Sequence, residues 1–216
     1  MSVWTIVVAG GSGARFGGLK QFEPLGHGRV VDWSIATATT LSDGVVVVVP
    51  PGTTSDERGA DPVVTEVAGG ASRSASVRNG LAAVPASAEV ILIHDGARPF
   101  ASVDLFRRVV AGVRAGADGV IPGVPVTDTV KRVAPDGTIV ATIDRSDLRA
   151  VQTPQGFRGQ SLREAYSAAA EATDDAAVVE AWGGRVIVID GEADNRKITT
   201  RDDLVWAREH IGKVAI

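Results

Sequence analysis

Short apolar runs punctuate this chain, and longer amphipathic stretches separate them. Trp4 to Val8, Val45 to Val49, Val90 to Ile93, Gly119 to Ile121 and Val186 to Ile189 are rich in valine and isoleucine and almost free of polar residues. A strand covered on both faces needs no polar alternation, so these five runs predict buried strands. Helical spacing governs the stretches between them. Val103, Phe106, Val109, Val110 and Val113 fall on one face of a helix within 102–115, with Ser102 placed to cap its start. Arg73 to Ala83 follows a serine-bearing loop and predicts a second helix. Leu162, Ala165, Tyr166 and Ala169 mark a third, and Thr200-Arg201-Asp202-Asp203 opens a fourth with acids in its first turn. Strands and helices in alternation predict the α/β class, a parallel sheet with helices on both sides.

Residues 124–152 break that rhythm. Val130-Lys131-Arg132-Val133 alternates, Pro135-Asp136-Gly137 turns the chain, and alternation resumes, which predicts a β-hairpin. A hairpin alone in water is marginal, so this one must pack on something. The edge of the same sheet and the surface of a second subunit both satisfy the pattern. No internal repeat, low-complexity tract or linker divides the chain, so residues 1–216 read as a single domain carrying this arm.

Bulk properties narrow the partners. A formal charge of -4 argues against a broad nucleic-acid surface, which requires a basic domain, but leaves room for local cationic sites. Without cysteine there are neither disulfides nor thiolate metal sites. No apolar run reaches the ~18 residues of a membrane span, and the first residues do not read as a secretory leader. The expectation is a soluble, cytoplasmic protein that binds neither nucleic acid nor membrane.

The chemistry gathers after the predicted strands. Residues 9–21, Ala-Gly-Gly-Ser-Gly-Ala-Arg-Phe-Gly-Gly-Leu-Lys-Gln, follow the first of them. A Walker loop needs G-x-x-x-x-G-K-S/T, yet Lys20 lies between Leu19 and Gln21. A dinucleotide fingerprint needs G-x-G-x-x-G, and Phe16 occupies its third glycine position. What survives is the physics both motifs use. Gly10, Gly11 and Gly13 allow backbone N–H groups to close on an anion, and Arg15 and Lys20 add fixed positive charge suited to a triphosphate. A solvated surface turn is the competing reading, disfavoured by a location where parallel sheets place their ligands. Asp95 follows the third strand and suits a hydrated Mg²⁺ or a ribose hydroxyl, with a turn acid as the alternative. Arg98 suits a second phosphate or a pair with Asp95. His94 has no partner at ligand spacing. The hydroxyls of residues 72–76 suit a base edge or a helix cap, and Lys197 suits a phosphate or open solvent.

Taken in order, the segments AGGSGARFGGLKQ, GGASRSASV, HDGARP, PVTDTVK, DR, QTPQGF, TDDA and NRKITT resemble the 2-C-methyl-D-erythritol 4-phosphate cytidylyltransferases over nearly the whole chain. The resemblance implies a Rossmann-like, GT-A-like nucleotidyltransferase fold, a mostly parallel sheet flanked by helices with a protruding β-arm. It implies Mg²⁺ and a homodimer joined through that arm. The reaction implied takes CTP and a polyol phosphate to a CDP-alcohol and pyrophosphate, in the non-mevalonate route to isoprenoid precursors. By motif, Arg15 and Lys20 match transition-state cations, while Arg145 and Lys197 match residues that position the substrate phosphate. Ala9, Gly10, Gly11, Ser12, Gly13, Gly70, Ser76 and Asp95 match nucleotide-contacting segments, and Asp95 is the candidate metal ligand, directly or through water. Arg98, Thr129, Thr153 and Thr173 match the sugar-phosphate pocket, with Thr129, Arg145 and Thr153 lent by the neighbouring arm. Gly10, Leu19, Ala71 and Gly96 depart from the family pattern. The Ala-Gly-Gly opening is also shared with ribitol-5-phosphate and sugar nucleotidyltransferases, which form the alternative reading.

Overall fold

The computed structural model describes residues 2–53, 63–168 and 174–214. The strands are β1 (Val3–Val8), β2 (Pro24–Leu25), β3 (Gly28–Arg29), β4 (Gly44–Val49), β5 (Val64–Ala68), β6 (Val90–Asp95), β7 (Gly119–Pro125), β8 (Val130–Val133), β9 (Ile139–Ile143), β10 (Arg149–Val151), β11 (Gln155–Arg158) and β12 (Val186–Asp190). The α-helices are α1 (Val30–Thr39), α2 (Arg73–Ala83), α3 (Val103–Arg114), α4 (Gly159–Ala168), α5 (Asp175–Trp182) and α6 (Arg201–Val214). All five apolar runs are strands of one sheet, whose neighbours run β12-β7-β11-β6-β1-β4-β5, but β12 is an edge strand with Val188 half exposed and not the buried strand its sequence predicts.

Side-chain alternation splits these strands between two cores. Val7, Val45, Val47, Val90 and Leu92 face α1 and α3, where Ile35, Leu105, Phe106 and Val109 are buried. Ile6, Val46, Val48, Ile91 and Ile93 face the other way, onto Val77 and Leu81 of α2, Leu162 and Tyr166 of α4, and Val179 of α5. Each fully buried Val, Leu or Ile contributes about 1.5–3 kcal/mol over its exposed state, which is why both faces must be apolar. Of the predicted caps, Ser102 accepts from the Leu105 N–H at the start of α3 and Ser72 from the Ala75 N–H at the start of α2, each at 3.0 Å. Asp203 accepts from the N–H groups of Thr199 and Thr200 and closes the entry to α6. The predicted helix marker Ala169 lies outside the described residues.

The mostly parallel sheet is as expected, and the bounds of the arm need correction. The sheet is parallel along β5-β4-β1-β6 and β12-β7, but β10 and β11 enter it antiparallel. The hairpin is shorter than 124–152. Val124 and Pro125 still belong to β7, and Arg149–Val151 pairs back on it as β10. Within 124–152, β8 and β9, joined through the predicted Pro-Asp-Gly turn, form a two-stranded sheet of their own, as β2 and β3 do elsewhere. The alternating sequence looks the same on both sides of that division, because period two marks a strand and not its partner.

Candidate active site

β1 lies between β4 and β6, so the chain leaves it towards one side of the sheet and returns on the other. Such a switch point opens a crevice beyond the strand ends. Val8 and Asp95, the last residues of β1 and β6, are register partners there. Four segments meet above them in a pocket of about 560 Å³: residues 8–16 with 20–21, residues 70–73 with Ser76, Asp95 with Ala97, and Lys197 with Thr199.

The glycine-rich segment is shaped by one turn. Gly13 has φ +66°, and its carbonyl accepts from the N–H groups of Phe16 and Gly17 at 2.8 and 2.9 Å. Phe16 is buried under the turn with Leu25, Val30 and Ile198. Among the described residues, the N–H groups of Gly10 to Arg15 make no hydrogen bond to the protein. A run of open donors in a concave turn is an anion cradle. Arg15 stands exposed at its rim, and Lys20 is half-buried beside it. Burial lowers the Lys20 ammonium from its usual value, and the charges of Lys197 and Arg15 lower it further against opposition from Asp95 and Asp203.

Asp95 is the anionic centre of this wall. Its carboxylate lies 2.7 Å from Lys197 Nζ and 3.7 Å from both Arg73 and Arg98. Burial alone would raise this carboxyl. The charges of Lys197 and Arg73, the Lys197 hydrogen bond and the Arg98 charge outweigh it and hold the group well below the carboxylate range. Arg73 is pinned from behind by the fully buried Asp175, at 2.6 Å, which also accepts from the Tyr166 hydroxyl. Burial would lower Arg73, but the Asp175 charge and hydrogen bond, with Asp95, raise it above its usual value.

The structure thus brings Ala9, Gly10, Gly11, Ser12, Gly13, Arg15, Lys20, Gly70, Ser76, Asp95 and Lys197 to one pocket. Ser76 is buried there, accepting from the Gly70 N–H and donating to the Ser72 carbonyl, so its hydroxyl ties one rim together. Arg98 and Thr153 lie just beneath. Arg98 donates to the Asn195 carbonyl at 2.7 Å, and the Thr153 hydroxyl accepts from the Asp95 N–H at 3.0 Å while touching His94 Nδ1 at 3.1 Å. His94 is fully buried, and desolvation pushes its imidazole down to about 4. It is therefore neutral at ordinary pH and packs against Phe106. Thr129 and Arg145 are exposed on the hairpin segment, away from the pocket lining, and Thr173 lies outside the described residues.

Sequence reasoning passed over Arg73, Gln21 and Thr199 as site residues. Arg73 had a signal. It is the first residue of α2, where the helix dipole disfavours a cation, so an arginine there needs an anionic partner such as Asp95 or Asp175. Gln21 and Thr199 had none: Gln21 folds back on Ala9 and Gly11 and Thr199 lies beside Lys197 and Asp203, in geometries that no sequence spacing marks.

An open, mainly parallel α/β sheet with a cationic pocket at its switch point defines the class of open-sheet α/β proteins whose ligand crevice lies beyond the strand ends. The family model described as IspD, 2-C-methyl-D-erythritol 4-phosphate cytidylyltransferase, matches residues 3–213, and the chain belongs to that family. The 2-C-methyl-D-erythritol 4-phosphate cytidylyltransferase of Rhodococcus opacus is 47% identical over 95% of this chain and 93% of its own length. The bifunctional enzyme IspD/IspF of Clavibacter michiganensis is 48% identical over 97% of this chain. This chain spans only 54% of that relative, about half the length of the bifunctional proteins it resembles. The crystal structure of the Thermus thermophilus cytidylyltransferase superposes with a TM-score of 0.83, at 35% identity over 97% of this chain and 98% of that one.

Proposed function

We propose that this chain transfers the cytidylyl group of CTP to 2-C-methyl-D-erythritol 4-phosphate, giving 4-(cytidine 5'-diphospho)-2-C-methyl-D-erythritol and pyrophosphate in the non-mevalonate isoprenoid pathway. The supporting observation is the convergence of Arg15, Lys20 and Lys197 on the glycine-rich cradle, in a chain whose family carries that activity in its description. A phosphate monoester oxygen attacks the α-phosphorus of CTP. The new P–O bond forms as the bond to the β-phosphate oxygen breaks, and pyrophosphate leaves with that electron pair. The nucleophile is already anionic, so no protein base is needed, in keeping with a neutral, buried His94. The difficulty is repulsion between two polyanions. Open N–H groups and fixed cations relieve it and stabilise charge on the transferring and departing oxygens.

Mg²⁺ belongs to this proposal. Among the described residues no group of three acids or histidines is placed to cage a metal. Among the described residues a single carboxylate, Asp95, lines the pocket, and Mg²⁺ commonly takes one or two carboxylates with phosphate oxygens and water. The donor set fits a hydrated ion shared with the triphosphate, which would supply further neutralisation of phosphate charge. We also propose a cytoplasmic homodimer in which Thr129 and Arg145, exposed on the arm, serve a neighbouring site, whereas Thr153, also expected from the neighbouring arm, is buried against the Asp95 N–H of its own chain. Val133, Ile139 and Val140 are 52–61% exposed on that arm and offer an apolar contact. No described helix is long and apolar enough to cross a membrane.

The test is a matrix of the four nucleoside triphosphates against methylerythritol and ribitol phosphates, scored by pyrophosphate release. CTP with methylerythritol phosphate should dominate. Turnover with ribitol 5-phosphate alone, or with another triphosphate, overturns the assignment.

A further inference from the structure

An anion cradle works only while its N–H groups are kept open, and nothing in the glycine-rich sequence itself enforces that. A flexible turn would fold its donors back onto its own carbonyls, since unpaired backbone groups are costly. Glycine loses more conformational freedom on ordering than any other residue, so a segment rich in it needs an external tether.

Gln21 is the side chain in position to supply one. It is 3% exposed, on the single turn of 3₁₀ helix Lys20–Phe22. Its side-chain amide nitrogen donates to the Ala9 carbonyl at 2.7 Å and to the Gly11 carbonyl at 3.0 Å. Peptide planarity converts those two contacts into an orientation. In a trans peptide the N–H points opposite to the carbonyl it is bonded to. The peptide that aims the Ala9 carbonyl at Gln21 therefore aims the Gly10 N–H away from it, and the Gly11 carbonyl does the same for the Ser12 N–H. Both of these N–H groups lack protein partners among the described residues. The two carbonyls, the groups most repulsive to a phosphate, are thereby turned aside and occupied.

The same side chain couples the cradle to a cation. Gln21 directly follows Lys20, and the Lys20 carbonyl accepts from the Glu23 N–H to close their shared turn. Fixing Gln21 against the Ala9 and Gly11 carbonyls therefore fixes the backbone from which Lys20 projects into the pocket.

We propose that Gln21 is a positioning residue for the triphosphate: its amide holds the glycine-rich turn with N–H groups facing the ligand and registers Lys20 against them. This inference rests on the proposed use of CTP. It predicts a loss that follows phosphate count. Gln21→Met keeps the volume and flexibility of the buried side chain but removes both donors. Gln21→Glu keeps the shape and sets carboxylate oxygens against two carbonyls.

Calorimetric titration of the full chain with CTP, CMP and inorganic tripolyphosphate, in magnesium, tests it. Wild type should bind CTP and tripolyphosphate. Gln21→Met should weaken both by about tenfold or more, with CMP affinity changed less than about twofold, and Gln21→Glu should weaken them further. A variant whose thermal midpoint falls is replaced in the comparison by the one that keeps it. Equal losses for CMP and CTP would reduce Gln21 to a structural residue and overturn the proposal, as would unchanged CTP affinity in a folded variant. Failure of the wild-type protein to bind CTP at all would instead refute the cytidylyltransferase reading, so the two failures are distinct.

Discussion

Lys20 illustrates how a site prepares for an anion at the cost of the empty state. It is half-buried and shares the pocket with Arg15 and Lys197, so its ammonium is easier to deprotonate than a free lysine. A triphosphate reverses that balance, because its charge stabilises the protonated form. CTP affinity should therefore be highest below the lowered pKa of Lys20 and fall as pH rises through it, since binding must then take up a proton. Lys20→Arg keeps the charge across that range and should flatten the alkaline decline, visible in the pH dependence of the CTP dissociation constant. An unchanged decline in this variant would remove Lys20 as its source. Truncation is a harsher test. Lys20→Ala and Arg15→Ala should each lower kcat by roughly 10²–10³, the scale on which a lost oxyanion donor is felt, and near-normal steady-state turnover in both would exclude their assigned roles. Asp95 behaves in the opposite sense. Its carboxyl is held well below the usual range, so its ion pairs persist above the unfolded pKa and are lost only as pH falls through the depressed one.

At the level of the turn and the strand, two glycines three residues apart should respond differently to the same substitution. A Cβ on Gly13 would lie 1.7 Å from the Gly18 carbonyl oxygen, and the φ of +66° disfavours any side chain. Gly13→Ala must therefore rebuild the turn. A Cβ on Gly10 would meet Ser76, Gly69 and Val48 at 3.5–3.8 Å, ordinary contact distances, and the φ there is not positive. Gly10→Ala should raise stability by about 0.4–1 kcal/mol through a less flexible unfolded chain and weaken CTP binding less than Gly13→Ala does. Gly13→Ala should lose at least that much and weaken CTP binding severely. Urea denaturation and CTP titration of the pair measure both effects, and a stable, tightly binding Gly13→Ala would contradict the turn geometry. This contrast also explains what was legible in the sequence. Glycine content and a position after β1 were enough to expect a cradle, but which glycine is obligatory depends on Gly18 folding back. Strands covered on both faces announced themselves. β5 did not, because its outer residues Thr65, Glu66 and Ala68 are exposed at the sheet edge. Nor did β11, whose four residues Gln-Gly-Phe-Arg carry no run and owe their strand to pairing with β6 and β7. Arg73 was visible only as a cation at the wrong end of a helix.

Across the whole molecule, the residues assigned to the polyol phosphate are divided: Lys197, Arg98 and Thr153 stay with the pocket, while Arg145 and Thr129 do not. Arg15, Lys20 and Lys197 gather at the sheet switch point, while Arg145 and Thr129 sit exposed on the hairpin segment with no place in that pocket. The hairpin also presents Val133, Ile139 and Val140 to solvent, an apolar surface that a two-stranded arm does not bury by itself. If a second copy covers the arm, each site combines the cradle of one chain with Arg145 of the other. Complementation decides this sharply. In a dimer of one Lys20→Ala chain and one Arg145→Ala chain, the first lends an intact Arg145 and the second an intact cradle, so one site of the two is whole and the other carries both lesions. Purified heterodimers, isolated with two different affinity tags, should therefore recover about half of the wild-type activity while each homodimer stays inactive. A site built within one chain has no intact copy in that heterodimer and should recover nothing, because every cradle would carry either its own Lys20 lesion or its own Arg145 lesion.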